Sequence, residues 1–85
     1  MNAYNIYVDK IREYLLSVDK DLKIISTEEP LLNRFVGNGF EIDTALFPGS
    51  FMTTRIFCNN GSVVVEGTDF GLFLDVFTIM LKKVQ

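Results

Sequence analysis

Histidine and tryptophan are missing from this chain of 85 residues, which has a single cysteine and two prolines. Each shortage closes a class of chemistry. Without histidine, acid–base catalysis near neutral pH loses its usual carrier, and no Ser-His-Asp or Cys-His arrangement can form. One cysteine supplies neither a zinc site nor an internal disulfide, and it suits a reducing, cytoplasmic setting. Cys58 is expected to act as a small hydrophobe at a strand end. No segment approaches the ~20 unbroken apolar residues of a membrane span, and no basic region followed by an apolar run marks a signal peptide. Phosphate-loop and dinucleotide patterns are missing as well. Gly37-Asn38-Gly39 reads as a hairpin turn, because Gly and Asn tolerate positive φ. No cofactor, metal site, membrane contact or enzyme activity is expected.

Bases are scarce where they would matter for nucleic acid. The chain has eleven acids against eight bases, a net charge of −3. Between Phe35 and Leu81 the single base is Arg55, set against Glu41, Asp43, Glu66, Asp69 and Asp75. Phosphate-contacting surfaces cluster Lys and Arg, so direct nucleic-acid binding is not expected. Arg34 and Arg55, isolated on strands, read as surface or edge residues. Glu41 and Asp43 are two apart on a strand and share its polar face, without the cleft and raised pKa of a carboxylate catalyst. Glu41, Asp43, Glu66 and Asp69 are instead the candidates for an acidic face that meets a basic protein partner.

What the chain has in plenty is apolar side chains: 48% of residues are hydrophobic and eight are Phe. A length of 85 residues makes one domain, 1–85, of marginal stability. Tyr4, Tyr7, Val8, Ile11, Tyr14, Leu15 and Val18 recur at helical spacing behind Asn2, a suitable cap. The tyrosines are expected in the core and at its edge with their hydroxyls reaching water; the alternative is an aromatic contact surface for a partner. Leu22–Ser26 and Leu32–Val36 read as short strands, with Thr27-Glu28-Glu29-Pro30 as a loop or edge irregularity between them. From Phe40 the alternation is plain: Phe40, Ile42, Thr44 and Leu46 face one way, Glu41, Asp43 and Ala45 the other. Pro48-Gly49 is a turn. Phe51–Cys58 and Ser62–Glu66 are strands joined by the hairpin signal Asn59-Asn60-Gly61. Thr68 or Asp69 caps a last helix running to about Lys83. The expected fold is α+β: an N-terminal helix, an antiparallel four- or five-stranded meander and a C-terminal helix, with both helices on one face.

The last helix is apolar around about 220° of its circumference, against a stripe of roughly 100° on a surface helix. Two arrangements are open. If the helices lie side by side, the first covers the flank at Leu72, Val76 and Ile79 and the arc is ordinary core. If they lie apart, those three residues are exposed and mark a homodimer interface.

The segment Arg55-Ile56, Asn59-Asn60-Gly61 and Val63-Val64-Val65-Glu66, followed by an acid-capped helix, resembles the C-terminal half of small phage-encoded anti-CRISPR inhibitors. The resemblance covers about 31 residues. It implies a non-enzymatic inhibitor that occupies the nucleic-acid-binding surface of a host effector such as a CRISPR nuclease. Three functions follow as expectations: a protein-interaction module for a larger basic protein, a homo-oligomeric accessory protein, and a small apolar-ligand-binding domain.

Overall fold

Period-two burial along one segment organises the whole molecule. In the computed structural model, which describes residues 3–28, 31–47, 51–59 and 61–82, Phe40, Ile42 and Thr44 are buried while Glu41 and Asp43 between them are half-buried. That strand, β3 (Phe40–Phe47), is the centre of a five-stranded sheet. Around it lie β1 (Lys23–Glu28), β2 (Leu31–Gly37), β4 (Phe51–Cys58) and β5 (Gly61–Glu66) in the order β1-β2-β3-β4-β5, every neighbour antiparallel. Helix α1 (Ala3–Val18) precedes the sheet and α2 (Phe70–Lys82) follows it. The expected α+β meander has five strands. Thr27 and Glu28, expected in a loop or edge irregularity, continue β1 opposite Leu32 and Leu31; ladder pairing in a hairpin carries the strand past the local breaker signal. Expectations at Asn2, Glu29-Pro30, Pro48-Gly49, Asn60 and Lys83 lie outside the described residues.

Both helices pack on the side of the sheet that carries Phe35, Phe40, Ile42, Ile56 and Val65. Helix α1 lies against β2, α2 lies against β4, and the helices touch each other. Phe73 and Phe77 stack at 5.6 Å and 13°, and Phe70 extends the stack to Phe73 at 6.0 Å. Tyr14 of α1 meets Phe70 and Phe77 edge-on at 6.3 and 6.2 Å. Asp69 is the cap of α2: its carboxylate accepts from the Leu72 amide at 3.1 Å, satisfying a donor the helix cannot. At the other end of the sheet, the Asp19 carboxylate accepts from the amides of Asp21 and Asn38, both at 2.9 Å, and so ties the α1–β1 turn to the β2–β3 hairpin.

The first two tyrosine hydroxyls do not reach water. Tyr4 and Tyr7 are each 3% exposed. Tyr7 Oη lies 2.6 Å from Thr54 Oγ1, and Tyr4 Oη lies 3.3 Å from Thr44 Oγ1 and accepts from Asn33 Nδ2 at 3.0 Å. Two threonines in the middle of a hydrophobic sheet face are thus satisfied from the helix above, since a buried hydroxyl left alone costs far more than a paired one gains. Tyr7→Phe should cost about 1–3 kcal/mol by orphaning Thr54, and Tyr7→Phe with Thr54→Val should recover most of it. Burial, opposed by the Thr54 hydrogen bond and reinforced by Asp69, raises the Tyr7 pKa above its ordinary value of 10.0. The phenol is therefore held protonated in the fold, and its contribution is full below the unfolded value. It is lost as pH rises through the higher folded value. Thermal melts should lose stability above about pH 10, and Tyr7→Phe should flatten that loss.

Candidate functional site

No helix of the described residues lies on the second face of the sheet, and most of its side chains fall into three lateral rows fixed by register. The middle row is Ile25, Arg34, Asp43, Arg55 and Val64, one residue from each strand. On one side of it runs Lys23, Val36, Glu41, Phe57 and Ser62; on the other runs Thr27, Leu32, Ala45, Thr53 and Glu66. Directly opposite side chains on adjacent antiparallel strands are close enough to interact, so each row is a line of contacts. Apolar and charged positions are interleaved, and Ile25, Phe47 and Val64 are all exposed.

Arg34 organises the centre. Its Nε donates to Asp43 Oδ1 at 3.0 Å and its Nη2 to Oδ2 at 3.4 Å, a two-pronged guanidinium–carboxylate match. Its Nε is also 3.6 Å from Glu41 Oε2. The Asp43 carboxylate, followed by Glu41, holds the guanidinium in its charged form and raises its pKa. Arg55, on the other side of Asp43, extends over the Phe57 ring with its guanidinium carbon 5.8 Å from the centroid. Between them Leu32, Asp43, Ala45, Phe47, Thr53 and Arg55 line a shallow depression of about 180 Å³, room for one partner side chain.

This geometry divides the four candidate acids. Glu41 and Asp43 share the helix-free face, but both are engaged by Arg34, and Lys23, Arg34 and Arg55 balance Glu41, Asp43 and Glu66 across it. Glu66 sits exposed at the sheet margin. Asp69 belongs to the helix layer and is committed to capping. Arg34 and Arg55 lie at the surface, as expected, but on interior strands and in one row with Asp43. Their partnership leaves no local signal, because strand register alone brings them together. Cys58 is half-buried, and burial pushes its thiol pKa up, away from nucleophilic thiolate.

Of the two arrangements the sequence leaves open, the structure has the one in which α1 does not cover Leu72, Val76 and Ile79. Tyr14 meets the opposite flank of α2, at Phe70 and Phe77. Leu72 is 45% and Ile79 55% exposed, with Val76 half-buried. Because α1 lies over β2 and α2 over β4, this free flank points towards β5 and the sheet edge.

The layer between sheet and helices is filled by Phe35, Phe73, Phe77, Ile11 and Leu15, all fully buried. Among the described residues no group of three or more potential ligands could hold a metal ion, and no helix is long and apolar enough to cross a membrane. Set against models of known protein families, curated proteins and solved structures, the chain matches none of them.

Proposed function

We infer that the chain is a non-enzymatic protein-interaction module that docks on a larger, basic protein through the helix-free face of its sheet. One observation carries this reading: an entire sheet face, with Ile25, Phe47 and Val64 exposed around the Arg34–Asp43–Arg55 row, has no element of the described chain over it. Interleaved apolar and charged positions of both signs suit a protein surface better than a phosphate backbone, which rewards net positive charge. The net charge of −3 steers the module towards a basic partner and orients it, and the interleaved apolar side chains supply the buried contact. The resemblance to anti-CRISPR inhibitors narrows the partner to a host effector whose basic surface normally holds nucleic acid, with inhibition by occupation. A chain with a single cysteine suits the reducing cytoplasm as its compartment.

The test begins with the tagged chain as bait in a host lysate and identification of the captured protein by mass spectrometry. Titration of that purified protein across a salt series follows. Glu41→Lys combined with Glu66→Lys should weaken binding about tenfold, a change of ~1.4 kcal/mol, and flatten the salt dependence. Asp43 is left alone because its loss would strand Arg34. Unchanged affinity and salt slope in the double variant would remove the docking face from consideration.

A further inference from the structure

We propose that β5 is a self-complementary edge at which two copies of this chain join into one continuous ten-stranded sheet. The first observation is where the backbone of β5 points. The Gly67 amide donates to the Met52 carbonyl at 3.0 Å, one step beyond the Thr53–Glu66 pair. Hydrogen-bonded and non-hydrogen-bonded pairs alternate along an antiparallel ladder. Val65, Val63 and Gly61 therefore bond to β4, and the N–H and C=O groups of Ser62, Val64 and Glu66 point outward. No described strand lies beyond them.

The second observation is that this edge carries no lysine, proline or bulge, and its one charge is Glu66 at the end of the strand. Edge strands are normally blunted by Lys, Pro or a bulge. From Gly61 to Glu66 there is no Lys and no Pro, the register with β4 is unbroken, and Val63 and Val64 are 40% and 48% exposed on opposite faces. The other edge, β1, carries Lys23.

The third observation is the match of the strand to itself. In an antiparallel pair, opposite residues place their side chains on the same face, so a two-fold axis must pass through a residue. An axis through Val64 pairs Val64 with its copy, Val63 with Val65, and Ser62 with Glu66. All six outward backbone groups of each copy are then used. The one carboxylate of the strand meets a hydroxyl that can donate to it, twice by symmetry, and no like charges stand opposite within the strand pair. An axis through Val63 would leave the Glu66 groups outside the described strand. Charge and hydrogen-bond complementarity thus select a second copy as the occupant. On the helix side, the Leu72 and Ile79 flank of α2 leans towards the same edge in both copies and lines the seam. The joined sheet doubles the helix-free face, but the pairing does not depend on what that face binds.

Sedimentation equilibrium over a micromolar range should show a reversible dimer. Hydrogen exchange should show the amides of Ser62, Val64 and Glu66 gaining protection as concentration rises. Val64→Pro removes an outward donor without touching the β4 ladder and should weaken the dimer at least tenfold while circular dichroism stays native. Val64→Lys, which sets like charges directly opposite across the axis, should do the same and stands in if the proline variant does not fold. A wild-type chain that stays monomeric throughout would overturn the proposal. So would a dimer that survives both substitutions, or protection of those amides by another protein but never by a second copy.

Discussion

Phe77→Ala should lower the stability of this chain by about 3–5 kcal/mol in a urea melt. Phe77 has no exposed surface. Its ring is where the three parts of the molecule meet: Phe40 of the sheet edge-on at 5.2 Å, Tyr14 of α1 at 6.2 Å and Phe73 of its own helix at 5.6 Å. Removing it costs the transfer energy of a phenyl group and leaves a void whose walls belong to separate elements and cannot close independently. A domain of this length has a total stability of only about 4–13 kcal/mol, so the loss is about a quarter of the total at least and the whole of it at most. Ile79→Ala, on the exposed flank of the same helix, should cost the monomer under about 0.5 kcal/mol. Similar losses for the two variants would mean that α2 does not present the Phe73–Phe77 side to the sheet.

Gly37→Ala should cost about 3 kcal/mol, the high end of overpacking by a single methyl. The reason is not backbone freedom. Gly39, in the β2–β3 turn, takes a φ of 88°, but Gly37 does not adopt positive φ. Gly37 is opposite Phe40 in the register, and the Phe40 ring lies across it. A Cβ there would fall 2.5 Å from Cε1 and 2.7 Å from Cε2 of that ring. The ring is buried and braced edge-on by Phe77. It must leave that contact, towards the open depression that Gly37, Asn38 and Phe40 line, or the hairpin must open. A double-mutant cycle identifies the cause: Gly37→Ala should add almost nothing once Phe40 is Ala, giving a coupling energy of about 2–3 kcal/mol. Additive losses would place the strain somewhere other than the Gly37–Phe40 contact.

Gly37 also shows how local the legible information is. Both glycines of Gly37-Asn38-Gly39 read as turn residues, and only Gly39 needs the turn conformation. The demand on Gly37 comes from a ring three residues away that crosses back over it, which periodicity does not report. The alternation of β3, the hairpin at Asn59 and the cap at Asp69 were all visible, because each depends on neighbours within a few positions. The Tyr4 and Tyr7 hydroxyls depart from expectation because they find Thr44 and Thr54 at sequence separations of 40 and 47. An apolar helix face says that a tyrosine is buried, not what its oxygen meets.

The candidate site divides in the same way. Glu41 and Asp43 sharing one strand face follows from period two. Their engagement by Arg34 and the row that Arg55 completes follow from register across three strands, so an apparently acidic stretch folds into a charge-balanced face. The excess apolar arc of α2 was legible residue by residue, and which part of it stays open was not.

Taken alone, the sequence determined the kind and order of the elements, the single-layer packing of helices on one sheet face, and the lack of histidine, paired cysteine and phosphate-loop chemistry. These depend on residue type and short-range spacing. Only the tertiary structure decided that Arg34 holds Glu41 and Asp43, that α1 covers the Phe70–Phe77 side of α2 and leaves Leu72 and Ile79 free, and that β5 ends the sheet. Each of those depends on which strand or helix lies alongside which, and that is set by contacts between residues far apart in the chain.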